Sequence, residues 1–228
     1  MAHYAMADIH GDRERFHRML EKIAFSPADR LYILGDVVDR GPDGAALLSE
    51  IRKAGNMTMI LGNHEYMCLR YHAPDATERE IRHWGRNGNA PTLAGLEALG
   101  EDEKQKILKF LSELPSHMEI EVNGRRFYLV HGFPGDTVYQ DVWNRPLPDT
   151  PNPIPDTTLV IGHTPVPCLG HTDEEADAQM AELAARGEYL KIFHGPGFID
   201  LDCLCGYSEY PARQLACLRL EDMAEFYA

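Results

Sequence analysis

The sequence lacks a basic surplus: 22 lysines and arginines face 36 aspartates and glutamates, giving a formal net charge of −14. That deficit argues against a nucleic-acid partner, which calls for a basic stripe along the phosphates. No apolar run approaches the ~20 residues that span a bilayer, so no membrane partner is expected either. The opening Met-Ala-His-Tyr-Ala-Met-Ala-Asp has neither a basic start nor a long apolar core, so no secretory signal is expected. Cysteine is sparse and odd in number, with five residues at irregular positions 68, 168, 203, 205 and 217. This reads as reduced thiols in a cytoplasmic protein rather than as a disulfide framework. The pair Cys203 and Cys205 is read as small apolar residues alternating along a half-buried strand, not as metal ligands.

What is present is an ordinary globular mixture of 44% hydrophobic and 25% charged residues over 228 positions. That length predicts one domain, 1–228. Helical spacing occurs at Phe16, Met19, Leu20 and Ile23; at Leu47, Leu48 and Ile51, with Pro42 in a first turn; at Ile107, Leu108, Leu111 and Leu114, stopped by Pro115; and at Ala176, Met180, Leu183 and Ala184. The last of these opens on the capping pair Thr172 and Glu175 and closes near Gly187. Short apolar runs at 4–7, 31–34, 57–61, 127–130, 159–161, 198–201 and 215–220 read as strands. Asn123-Gly124 predicts a two-residue hairpin turn between 119–122 and 126–130. Prolines at 146, 148, 151, 153 and 155 mark a surface loop. The expected fold class is α/β, with mixed β-sheets and helices outside.

The chemistry sits at the ends of the apolar runs. Asp8-Ile9-His10-Gly11-Asp12 follows the first, Gly35-Asp36-Val37-Val38-Asp39-Arg40-Gly41 the second, and Gly62-Asn63-His64-Glu65 the third. His131-Gly132 and Gly162-His163-Thr164-Pro165 follow two later runs. In open α/β sheets that edge binds ligands, so the five segments are expected to converge. Asp8, His10, Asp36, Asn63, His131 and His163 offer oxygen and nitrogen donors and no thiolate, which suits Mn²⁺, Fe or Zn²⁺. Six ligands are too many for one catalytic ion with an open position. They fit two ions sharing a carboxylate, an arrangement that activates water against a phosphoryl centre.

These segments resemble the three signature motifs of the phosphoprotein phosphatase family of calcineurin-like metallophosphoesterases, and the resemblance runs across about residues 3–220. The chain is similar to the small bacterial and phage serine/threonine type. The resemblance implies a central β-sandwich flanked by helices. It implies that Asp8 and His10 bind a first metal, that Asp36 bridges, and that Asn63, His131 and His163 bind a second. It further implies that His64 is the general acid, oriented by Asp39, that Arg40 clamps phosphate with Asn63, and that a metal-bridging hydroxide is the nucleophile. Trp143-Asn144-Arg145-Pro146 resembles the segment supplying a second phosphate-binding arginine, Arg145. Trp84, Asn87-Gly88 and Thr92 resemble a segment beside the active site, and Asn87 is a candidate substrate contact. Two departures are Ala7, where the family has glycine, and Gly132, where many members have alanine.

The chemical roles are independently reasonable. Arginine offers bidentate donors to a phosphate dianion, and imidazole titrates near working pH. The other histidines, at 3, 17, 72, 83, 117, 171 and 194, are expected to be solvated or satisfied locally. Tyr207 and Tyr210 are expected to be packing or loop residues. The expected activity is that of a phosphomonoester hydrolase, with Mn²⁺ as the leading metal, acting on phosphoserine or phosphothreonine in a protein or peptide. A peptide with basic residues near the phosphate would suit the chain's acidity. The alternative is a symmetrical dinucleoside tetraphosphate hydrolase, which must grip a nucleotide with basic or aromatic groups beside the metals. No basic cluster is evident in the sequence, which favours the phosphoprotein. A non-catalytic scaffold is the third reading, disfavoured because every ligand and the acid are present.

Overall fold

Short apolar runs with opposite-facing neighbours assemble into two five-stranded sheets in the structure, a computed structural model describing residues 1–228. In the first, β1 (His3–Met6), β2 (Arg30–Ile33) and β3 (Met57–Met59) run parallel. β9 (Ala216–Arg219) pairs antiparallel with β1, and β10 (Ala224–Tyr227) antiparallel with β9. In the second, β5 (Arg125–Val130), β6 (Thr158–Ile161) and β8 (Ile199–Asp200) run parallel, with β4 (His117–Val122) and β7 (Phe193–His194) antiparallel at its edges. The β4–β5 hairpin turns on Asn123 and Gly124, both at positive φ, as a two-residue loop requires.

The period of two divides the core. Tyr4, Met6, Leu31 and Ile33 point to the helices, while Ala5, Ala7, Leu34, Phe127, Leu129 and Val160 fill the space between the sheets. The methyl of Ala7 is accommodated in this inner layer. Against the first sheet's outer face pack α1 (Arg13–Lys22), α2 (Gly44–Lys53), α3 (Asn63–His72), α5 (Ala90–Ala98) and α6 (Glu101–Ser112). α4 (Glu78–Arg86) joins them through the fully buried Trp84. The second sheet differs. Tyr128, Val130, Leu159 and Ile161 on its outer face are covered by Leu169, Phe133 and Ile154, the last from the proline-rich loop. α8 (Asp173–Arg186) sends Met180 and Leu183 into the layer between the sheets and leaves its acidic face in water.

Several local readings are corrected. α3, α4, α5 and the short α7 (Val138–Trp143) carry no apolar stripe that the sequence betrays. The first turn of α3 buries Asn63, His64 and Glu65, and α4 buries only Trp84. Pro42 lies before the N-cap Asp43, outside the first turn of α2. Cys203 and Cys205 are both buried but lie in an irregular segment rather than a strand, and they face opposite core layers, whereas strand alternation would put residues i and i+2 on one face. All five cysteines are unbonded. No helix is long and apolar enough to cross a membrane.

Candidate functional site

The parallel strands of both sheets deliver their C-terminal ends to one edge, and the backbone there bends sharply. Asp8, His10, Asp36, Asp39, Arg40 and His163 all adopt positive φ, between 48° and 71°. Each left-handed non-glycine residue costs about 1–3 kcal/mol, so surrounding bonds must hold it. The His10 N–H donates to the Asp36 carbonyl at 2.9 Å, Gly11 N–H to Val37 at 2.8 Å and Arg40 N–H to Gly88 at 3.0 Å. Gly62 is required by proximity: a Cβ there would collide with the Asp36 carboxylate and stand 2.6 Å from Glu65 Oε2.

Asp36 lies at the centre. Its carboxylate forms one donor group with His10 and His64 and a second with His131 and His163, the donor atoms within 4.8 Å of one another in each. Asp36 Oδ1 is 3.3 Å from His131 Nε2, and Oδ2 is 3.7 Å from His10 Nε2. The tautomers follow from the partners, because a carbonyl only accepts. His10 Nδ1–H donates to the Val38 carbonyl at 2.9 Å and His131 Nδ1–H to the Leu34 carbonyl at 2.6 Å. Both therefore keep an Nε2 lone pair, while the backbone carbonyl at Nδ1 fixes how each ring is turned. Asn63 Oδ1 lies 2.8 Å from His131 Nε2 and 3.0 Å from His163 Nδ1. His163 Nε2 is buried with no hydrogen-bond partner. Asp8 is also buried and accepts the His163 backbone N–H at 3.1 Å, but stands outside both three-residue groups.

Burial pushes the Asp8 carboxyl well up, helped by the charges of Asp202 and Asp36. Burial pushes Asp36 the same way, but His131 and His64 outweigh it and hold the carboxyl well below its ordinary value. Burial lowers His10, with Arg40 and His64 adding repulsion, and lowers His163, with His131 and Arg145 adding to it. Burial also opposes the charged form of His131, yet Asp36 raises it overall. These opposed shifts follow from burying carboxylates and imidazoles side by side.

His64 is held apart from the other imidazoles by what it bonds. Its Nδ1 lies 2.6 Å from Asp39 Oδ2, and its Nε2 faces the cluster, 3.8 Å from Asp36 Oδ2. Asp39 is fully buried and is fixed by Trp84 Nε1–H at 2.6 Å and Thr92 Oγ1 at 2.5 Å. The Arg40 guanidinium reaches His10 Nε2 at 2.8 Å and stacks on the Tyr207 ring at 4.1 Å, so Tyr207 does more than pack. Arg145 is exposed and makes no ion pair, while its charge acts on His163 and Asp202. Asn87 instead caps α4, its side chain donating to the His83 carbonyl at 2.8 Å. A Cβ at Gly132 would come within 2.8 Å of the Asn144 carbonyl, which accounts for glycine there.

Sequence reasoning missed Glu65, Asp200 and Asp202. Glu65 accepts the backbone N–H groups of Asp36, Val37, Val38 and Gly62 at 2.8–3.2 Å, tying the second motif to the third. Its place beside His64 was the available signal. Replacing it with Gln would turn an NH₂ group toward N–H donors. Glu65→Gln is expected to lose about 3 kcal/mol of stability, read by urea unfolding. In metal-free protein, burial and Asp36 push Glu65 from 4.5 up to about 7. Its contribution is then full below pH 4.5 and is lost as pH rises through about 7. The variant's deficit is therefore expected to be smaller at pH 8 than at pH 5. Asp200 ends β8, inside the run 198–201, and only Asp202 stands after that run, where the other strand-end donors stand. Both are raised by burial, and Asp200 Oδ2 has no partner.

Residues 3–195 match the model of the calcineurin-like phosphoesterase family. A relative from Acidovorax sp. (strain JS42), named a symmetrical bis(5′-nucleosyl)-tetraphosphatase, is 35% identical over 133 residues, covering 58% of this chain and 43% of that protein. The chain thus spans less than half the length of that relative. Among solved structures, a metallophosphoesterase from Sphaerobacter thermophilus aligns at TM-score 0.57 and 16% identity, covering 100% of this chain and 87% of the other. A protein serine/threonine phosphatase from Saccharomyces cerevisiae aligns at TM-score 0.57 and 12% identity, covering 97% and 73%. At such identities the likeness shows the fold alone. The expectation of a protein serine/threonine phosphatase, with its basic phosphopeptide, is therefore corrected: the relatives alike in sequence are named tetraphosphatases.

Proposed function

The chain belongs to the calcineurin-like phosphoesterase family, and from that premise we propose that it hydrolyses bis(5′-nucleosyl) tetraphosphates at the centre of the polyphosphate chain. The observation that carries the hydrolytic reading is Asp36 shared between two buried donor groups. The substrate class rests on the names of the relatives. The residues present fit two divalent cations: two imidazoles with Nε2 lone pairs, an orphaned His163 Nε2, and a carboxylate between them. Asp8, His10 and Asp36 would hold one, and Asp36, Asn63, His131 and His163 the other. Mn²⁺ is our choice for this mixed nitrogen and oxygen set, with Fe or Zn²⁺ as alternatives. When bound, such a pair supplies Lewis acidity toward a phosphoryl oxygen and activates the attacking water.

The chain's own groups do the rest. Arg40 and Arg145, with Asn63, bind the non-bridging phosphate oxygens as charged or amide donors. With Nδ1–H donated to the Asp39 carboxylate, the doubly protonated ring of His64 would present its second proton at Nε2 to the departing oxygen. Trp84 and Thr92 keep Asp39 from turning. One catalytic domain over 1–228, in the reducing cytoplasm, accords with the five free thiols.

Steady-state kinetics of Mn²⁺-loaded protein provide the test. The expected kcat/KM for diadenosine tetraphosphate exceeds that for a phosphoserine peptide by at least about 100-fold, a difference of about 2.7 kcal/mol. Equal or reversed values contradict the reading. Chelation of divalent metals is expected to abolish turnover of both, and Mn²⁺ to restore it.

A further inference from the structure

Where α3, α4 and α7 meet, a cleft of about 640 Å³ opens beside the donor cluster, lined by Tyr66, Arg79, His83, Tyr139 and Trp143 among others. We infer that this cleft is the nucleoside subsite, taking the base of one arm of the dinucleoside polyphosphate against its exposed aromatic face. The inference rests on the hydrolase reading above and names the part of the chain that recognises the substrate beyond its phosphates.

The rings form a relay from the metal donors outward. Trp143 meets the His163 ring edge-on at 5.8 Å, His83 stacks on Trp143 at 5.4 Å, and Tyr139 lies 6.0 Å from Trp143 and 6.1 Å from Tyr66. A diphosphate bound at the cluster would therefore deliver its nucleoside to this side. The volume is within the range of small-molecule sites. Rings that merely hold helices together are buried, yet Tyr139 is 57% exposed at the cleft's edge. Trp143 Nε1–H is buried without an acceptor, although indole N–H groups usually find one. Arg79 is exposed and forms no ion pair, leaving a cation at the rim for phosphate or for stacking. These are the aromatic groups beside the metals that a nucleotide requires. They come from the consecutive helices α3 and α4 and from α7, far along the chain.

The test compares ADP with pyrophosphate, the same diphosphate without a nucleoside, by calorimetry on Mn²⁺-loaded protein. Wild type is expected to bind ADP at least about 10-fold more tightly than pyrophosphate. Tyr139→Ala is expected to weaken ADP by about 5- to 150-fold, the range for losing one base–aromatic stack, with pyrophosphate unchanged. Tyr139→Phe is expected to stay within about two-fold of wild type, since it keeps the stacking face. The inference is overturned if wild type shows no preference for ADP, if Tyr139→Ala leaves the preference intact, or if it weakens both ligands alike. The measurement needs no turnover. Failure to cleave diadenosine tetraphosphate would overturn the hydrolase reading, and loss of the ADP preference would overturn the subsite.

Discussion

Asp36→Asn is expected to lower kcat by about 1,000-fold or more and to reduce bound metal well below two equivalents. The carboxylate is the only side chain common to both donor groups. Its Oδ1 also accepts the His64 backbone N–H at 3.0 Å, so the residue positions the proton donor as well. An amide of the same shape removes the charge and turns an NH₂ group toward imidazole nitrogens. Withdrawing one shared ligand from a metal pair costs several kcal/mol of transition-state stabilisation, which sets the magnitude. Elemental analysis of the purified variant separates metal loss from a purely chemical defect. Full occupancy with full activity would show that Asp36 does not bridge.

His64→Asn carries the second large effect, a fall in kcat of about 100- to 10,000-fold on an alkyl phosphate ester. The effect on a dinucleoside tetraphosphate is expected to be smaller. Its leaving group is itself a phosphate oxygen, titrating near 6, and departs with less need of a proton. The comparison also decides between two roles, because His64 shares a donor group with His10 and Asp36. A proton donor leaves metal content near two equivalents when removed, whereas a ligand takes metal with it. A variant with low metal content and equal losses on both substrates would overturn the acid assignment.

Much of the donor cluster was legible because Asp8 stands after β1, Asp36 after β2, His131 after β5 and His163 after β6. A parallel sheet edge collects such residues whatever the loop lengths. The helices that complete the site were not legible. α3 opens on buried polar residues, and α4 keeps one buried ring among charges, so neither shows an apolar stripe. Glu65 was hidden for a related reason, since its four partners are backbone N–H groups and the sequence does not display backbone. The substrate preference went astray where spatial collection matters most. Tyr66, His83, Tyr139 and Trp143 are spread along the chain, and only packing of α3, α4 and α7 brings them beside His163. Net charge is a poor guide to what enters the site, as the solvated reading of 173–188 implies. The acidity of α8 faces solvent, and the arginines at 40 and 145 act locally on the cluster.

Product analysis of diadenosine tetraphosphate incubated with protein carrying two equivalents of Mn²⁺ tests the central claim most directly. Cleavage at the centre of the chain predicts ADP as the sole nucleotide product. AMP together with ATP, or no turnover by fully metal-loaded protein, would contradict it.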